Sequence, residues 1–351
     1  MLSFSLFTPI KSACFAGACL ASLALASAAA AEDLKYKVRV TNLENPSGVG
    51  VHAGTGDVFV ASRYGVYRYN PAAKKVHLEI AGYPEPIDIY GKGPMYPIGP
   101  LGIGFMGAEH LVVGDGSRID GEELVRVYKI NPEYSDDSEP VKEDAAEFTL
   151  GPITAGEASA KGEGNFYGVA VTDTAIYITS NGDDTKGWVA KADIAEGKPG
   201  ALTPYIATKV ATEVDAPIGI TMNPDGSQIV ISQGGEVNVA GDSLLTMYNP
   251  ADGALTKKMA TGLNDICGVA YSPKTGKLYA VDFAWVDPTQ GGLFELVIEG
   301  DAVTATKLLS LDKPTALAFD ANGKLYITVF GTQQEGSDKS PGQLIAIDPG
   351  L

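Results

Sequence analysis

Few side chains in this sequence are of the kinds that do chemistry. Two glycine- and acid-rich strings, GDGSRIDGEE at 114–123 and SNGDDTKG at 180–187, have the composition of ion-binding loops. Neither has the D-x-D-x-D-G order of a calcium loop, and the first lacks the spacing of a phosphate-cradling P-loop. Both are expected to be hairpin loops. The run EYSDDSEPVKEDAAE at 133–147 holds seven acidic side chains and one lysine, and is expected to be a solvated, inserted loop. The histidines are His52, His77 and His110. They fall in or near turns and on an outer strand, so they are expected to be exposed and not to meet. That argues against a Ser-His-Asp hydrolase and against a histidine-ligated transition metal.

Composition narrows the classes further. The 351-residue chain has a formal charge of −17, and losing the single positive charge of Lys11 takes this to −18. So acidic a chain disfavours nucleic acid and anionic lipid as partners, favours solubility and leaves cations open as partners, an acidic surface being more often simply a solvated one. Residues 1–31 carry Lys11, then the small-residue apolar run AGACLASLALASAAAA, ending on Ala29-Ala30-Ala31. This reads as a secretory signal peptide cut before Glu32. The run is too short and too rich in alanine for a spanning helix, so the mature chain, 32–351, is expected to lack a membrane span. A periplasmic or extracellular monomer is expected. Cys14 and Cys19 leave with the leader. Cys267 stays as a lone, buried core residue, with no disulfide framework.

The elements that must position any site come from a repeat. A Gly or Ala opens a short apolar alternation at Gly48 (PSGVGV), Gly102 (PLGIGF), Gly168 (FYGVAV), Gly219 (PIGITM), Gly268 (ICGVAY) and Ala316 (PTALAF). The intervals are 54, 66, 51, 49 and 48 residues. A turn rich in Gly, Asp and Asn follows each opening in most copies. A second β-branched strand comes next: VFVAS, LVVGD, IYITS, IVISQ, LYAVD or LYITV. A third strand tends to end in Asn-Pro or Asp-Pro, and a fourth is more polar. Six four-stranded meanders of about 50 residues predict a single all-β domain, a six-bladed β-propeller with first strands innermost. The last copy lacks its outer strand, while 34–43 (LKYKVRVTNL) is a surplus strand. It is therefore expected to pair with 343–349 and close the ring, which removes exposed strand edges.

With its anchors placed, the chain resembles NHL-type and SMP-30/gluconolactonase-type six-bladed propellers. PSGVGVHAGTGDVFVAS and PIGITMNPDGSQIVIS are similar to the NHL pattern of Pro-x-Gly-Val, turn, strand. The SMP-30 resemblance implies a calcium-dependent lactone hydrolase with its ion at the axis. Carried over, it implies Glu44, Asn165, Asn264 and Asp265 as calcium ligands, with Glu44 and Asp265 as the catalytic candidates. Oxygen ligands converging from several blades suit calcium. The pattern departs at Pro217-Ile218-Gly219, where the family has Asn-Gly, and blades two and six offer Tyr96-Pro97-Ile98 and Lys313-Pro314-Thr315. Propeller sugar dehydrogenases place a histidine base centrally, which this chain does not match.

Loops after the second strands should cluster on one face. Arg63, Asp115, Asn181, Asp183, Gln233 and Asp282 are the polar candidates there, with Tyr64, Phe283 and Trp285 as apolar surface. Two functions remain: a binding module holding a small molecule or protein at its funnel, which is favoured because no complete catalytic set is visible, and the calcium-dependent lactonase.

Overall fold

The computed structural model describes residues 34–84, 97–133, 135, 137–182 and 185–351. The expected leader, Tyr96 and Asp183 lie outside them. The described residues form six antiparallel sheets, a six-bladed β-propeller. The inner strands are Gly48–Val51, Pro100–Met106, Val169–Val171, Pro217–Met222, Ile266–Tyr271 and Pro314–Phe319. Each touches the inner strand of the next blade, and the sixth touches the first, so the ring is closed.

The repeat explains how such a chain builds a core. There is no single central core. Six apolar layers lie between successive blades, each fed by alternate residues of two neighbouring sheets. Between blades one and two, for example, Phe59, Val66 and Ile80 meet Leu111, Val113 and Tyr128. One blade buries a face only against another, which makes closure of the ring an energetic necessity.

The glycine anchors sit where the inner strands crowd the axis. A Cβ on Gly48 would lie 1.9 Å from the Leu101 carbonyl oxygen, and one on Gly168 would lie 2.2 Å from that of Ile218. Any side chain there would force neighbouring backbones apart. Closure follows the expected route: Tyr36–Leu43 runs antiparallel to Gly342–Ile347, pairing Tyr36 with Ile347 and Leu43 with Gly342. Val40 and Leu43 are buried in the layer between blades six and one. The Thr315 hydroxyl, in blade six, donates to the Pro46 carbonyl of blade one at 2.8 Å.

The acidic insertion departs from a solvated loop. Val141–Lys142 adds a parallel strand to the outer edge of blade one, beside Ile80 and Ala81. Glu143 then turns inward, 7% exposed, and its Oε1 forms ion pairs with Arg118 at 2.7 Å and Arg126 at 2.5 Å. The insertion therefore clamps blade one to blade two through a buried charge network with Asp115. Blade one holds a second such pair: Arg68 and Asp57, both fully buried, meet at 2.5 Å, and Arg68 also donates to the Asn131 carbonyl at 2.7 Å.

Candidate functional site

The geometry of the axis is set at the start of each inner strand. The residues three places before the anchors are Asn45, Gly99, Asn165, Ala216, Asp265 and Lys313. Four of them are left-handed: Asn45 (φ 46°), Asn165 (48°), Ala216 (55°) and Lys313 (57°). Asparagine adopts this conformation readily, whereas alanine and lysine do so at a cost of about 1 kcal/mol each. The chain turns sharply at this point before entering the strand. Asn45, Asn165, Ala216 and Asp265 all line one cavity of 290 Å³.

The cavity wall is mainly apolar. Phe283 stacks on Trp285 with centroids 4.9 Å apart and meets Phe330 edge-on at 5.8 Å. Cys267 and Ile218 pack with them, and Val237 stands at the exposed rim. Cys267, expected as plain core, is thus part of the cavity wall, and burial pushes its thiol well above the ordinary range. Tyr167, from blade three, donates its hydroxyl to the Thr315 carbonyl of the opposite blade at 3.3 Å. It spans the axis and forms part of the cavity lining.

Polar groups on this wall are few. Asp265 is 8% exposed, and its Oδ2 accepts the Trp285 N–H at 2.7 Å. Burial, and then the charges of Asp282 and Asp242, raise its carboxyl to about 6 against that stabilising bond. Asn165 is 4% exposed, and its Oδ1 is buried without a hydrogen-bond partner. The Asn45 Nδ2 donates to the Pro97 carbonyl at 2.6 Å.

Of the site residues singled out from sequence, Asn165, Asn181, Asp265, Phe283 and Trp285 line the cavity. Glu44 does not; its carboxylate is paired with Arg63, whose guanidinium also lies over the Tyr64 ring. Asn264 uses its Oδ1 to accept the Gly241 N–H at 3.1 Å. The four oxygen donors therefore do not converge, and among the described residues no group of three or more His, Cys, Asp or Glu side chains is arranged to hold a metal. Of the four, Asn165 and Asp265 line the cavity, fewer than the six to eight oxygens that calcium takes.

The polar residues that end the second strands serve another purpose. Asp115, Gln233 and Asp282 are buried at 1%, 0% and 0% exposure. Asp282 accepts from the N–H groups of Asp265 at 2.8 Å and Asn264 at 3.1 Å. Gln233 Nε2 donates to the Val214 carbonyl at 2.6 Å, and Asp115 Oδ1 accepts from Ser117 N–H at 2.9 Å. Ser62 and Ser180, at matching positions, donate to the carbonyls of Glu44 and Gly164. A segment leaving a sheet for a tight turn has backbone groups that no strand pairs, and these side chains satisfy them. They brace the loops, and Asp115, Gln233 and Asp282 are not part of the cavity lining.

The histidines stay away from the axis. His52 is buried rather than exposed: it bonds Thr55 and the Ala108 carbonyl, each at 3.0 Å, and fixes the first hairpin against blade two. His77 bonds Glu79 on the outer strand, and His110 bonds Glu147 at 3.1 Å.

No family model matches the chain, and no curated protein matches it in sequence. Solved structures do match. An apo aldose sugar dehydrogenase from Escherichia coli is 15% identical, with 90% of this chain and 99% of that one covered and a TM-score of 0.58. A gluconolactonase from Xanthomonas campestris is 13% identical over 91% of each chain, with a TM-score of 0.57. A PQQ-bound aldose sugar dehydrogenase from Streptomyces coelicolor is 15% identical, covering 90% and 98%, with a TM-score of 0.57. At such identities the likeness is one of fold. The six-bladed ring is shared; the chemistry has to be argued from this chain's own cavity. Among the described residues no helix is long and apolar enough to cross a membrane.

Proposed function

We propose that this propeller is a binding module that holds a small molecule in the cavity at its axis. The observation that carries the reading is the 290 Å³ cavity itself, with the Phe283, Trp285 and Phe330 wall and the polar groups of Asn165 and Asp265. A concave apolar site with a few placed polar atoms is the usual form of a small-molecule site. A protein partner would need a broad face, whereas the features here converge inward. The leader-like residues 1–31 support action outside the cytoplasm, which sequencing the mature N-terminus, expected at Glu32, tests.

The direct test uses 2-naphthylmethanol, a neutral aromatic probe, and the fluorescence of Trp285 in a Trp188→Phe background. Trp188 lies outside the cavity, its indole N–H bonded to the Ala158 carbonyl at 3.1 Å. Saturable quenching is expected, and Cys267→Phe, which fills the cavity, should abolish it. Linear, unsaturable quenching in the parent protein by this probe and by its amine and carboxylate analogues alike would overturn the reading. The calcium-dependent lactonase is the second reading, supported by Asn165 and Asp265 on the same cavity wall. Lactone hydrolysis abolished by chelator and restored by calcium would establish it over simple binding.

A further inference from the structure

We propose that the cavity takes an organic cation: an amphiphilic amine whose apolar body lies against Phe283, Trp285 and Phe330 and whose ammonium group meets the Asp265 carboxylate. This rests on the binding reading above and names its ligand class.

Asp265 is the one charged side chain among the described residues that line the cavity. No cationic side chain of the described residues pairs with it; the charges acting on it are those of Asp282 and Asp242. Lys313 occupies the matching place in blade six but is not part of the cavity lining. Oδ2 accepts the Trp285 N–H, and Oδ1 accepts no hydrogen bond from a described residue. A carboxylate on an apolar wall is costly unless it is paired. A neutral ligand would shut it away from water without a countercharge, and an anion would add repulsion.

An ammonium group answers each feature. It brings the missing positive charge and three N–H donors. The lining offers acceptors for them in Asp265 Oδ1 and in Asn165 Oδ1, the latter buried and without a partner. Aromatic faces such as Trp285 attract cations as well as apolar carbon. The acidic chain, at −17, favours the approach of a cation over long range. A bare divalent ion would find one carboxylate there, since among the described residues no group of three or more His, Cys, Asp or Glu side chains is arranged to hold a metal.

The test compares 2-naphthylmethylamine, its neutral isostere 2-naphthylmethanol and the anion 2-naphthoate at pH 8, by calorimetry on the full mature chain. The amine is expected to bind at least about tenfold more tightly than the alcohol, and the naphthoate more weakly than either. In Asp265→Asn, which keeps an acceptor for the Trp285 N–H, the amine-to-alcohol ratio should fall to near one. Should that variant not fold, the three-ligand order in the parent protein decides. Equal binding of amine and alcohol, or an amine preference that survives Asp265→Asn, overturns the proposal while leaving the binding reading intact. Failure of all three probes to bind overturns the binding reading itself. Calcium that competes with the amine and raises the melting temperature only when Asp265 is present also overturns it, in favour of a metal.

Discussion

Glu123 offers the sharpest check of the buried electrostatics. It is fully buried where blades two and three meet. Its Oε2 is held by the Asn165 backbone N–H, and its Oε1 has no hydrogen-bond partner. Burial, with the charge of Asp115 next and that of Asp120 adding to it, pushes its carboxyl up to about 9. The folded protein therefore holds a proton that the unfolded chain releases above its ordinary value of 4.5. The corresponding stability is complete below that value and is lost as pH rises toward 9. One proton of difference is a slope of about 1.4 kcal/mol per pH unit, or about 4 kcal/mol between roughly pH 5 and pH 8. With about 2 cal/mol/K of unfolding entropy per residue over roughly 320 residues, that is a melting shift of about 6 °C. Glu123→Gln mimics the protonated acid and should remove this component. Its melting temperature should match the parent's near pH 5 and exceed it by several degrees at pH 8. Melting curves of the two proteins that run parallel from pH 5 to pH 8 would show that Glu123 is not a buried neutral acid.

Other perturbations test separate parts of the structure. Removing 34–43 strips Val40 and Leu43 from the closing layer and bares the edge of Gly342–Ile347; on the order of 5 kcal/mol should be lost, lowering the melting temperature by roughly 7 °C, and an unchanged melt would refute closure. Gly48→Ala places a methyl 1.9 Å from the Leu101 oxygen, so it should destabilise by at least about 2 kcal/mol in a denaturant titration. Arg68→Ala leaves Asp57 buried with the Asn70 amide as its one remaining side-chain donor among the described residues, and should cost about 3–5 kcal/mol by the same measurement. Cys267, with its thiol raised by burial and by Asp265 and Asp282, should react with iodoacetamide at pH 8 at least about tenfold more slowly in the native than in the unfolded chain; equal rates would place it outside the wall described.

Much of the ring was legible along the chain. Strand pairs and their turns are local: PIGITM, its NPDGS turn and IVISQ each follow from alternation and turn chemistry, and the structure pairs Pro217–Met222 with Ile229–Gln233. Even closure, a contact between residues 311 positions apart such as Lys37 and Asp348, followed from counting strands. The insertion at 133–147 was less legible. Its charge composition suggests solvent, and only the presence of Arg118 and Arg126 from elsewhere turns Glu143 inward.

The candidate site divides along the same line. Sequence alone determined that inner-strand starts and second-strand ends gather around an axis, because hydrophobic period and turn spacing are properties of neighbouring residues. It brought forward Asn165 and Asp265, but also Asp282 and Gln233, since chain order says nothing about which way a polar side chain faces at a strand end. Tertiary structure made that choice. Unpaired backbone groups of the entering loop recruit Asp282, Gln233 and Ser62, while the turn three residues before the anchor leaves Asn165 and Asp265 on the cavity wall. The physical reason is the cost of a buried, unsatisfied N–H or C=O: the nearest polar side chain is taken to brace the fold, as Asp265 Oδ2 is by the Trp285 N–H, and the oxygens left over, such as Asn165 Oδ1, stay on the cavity wall.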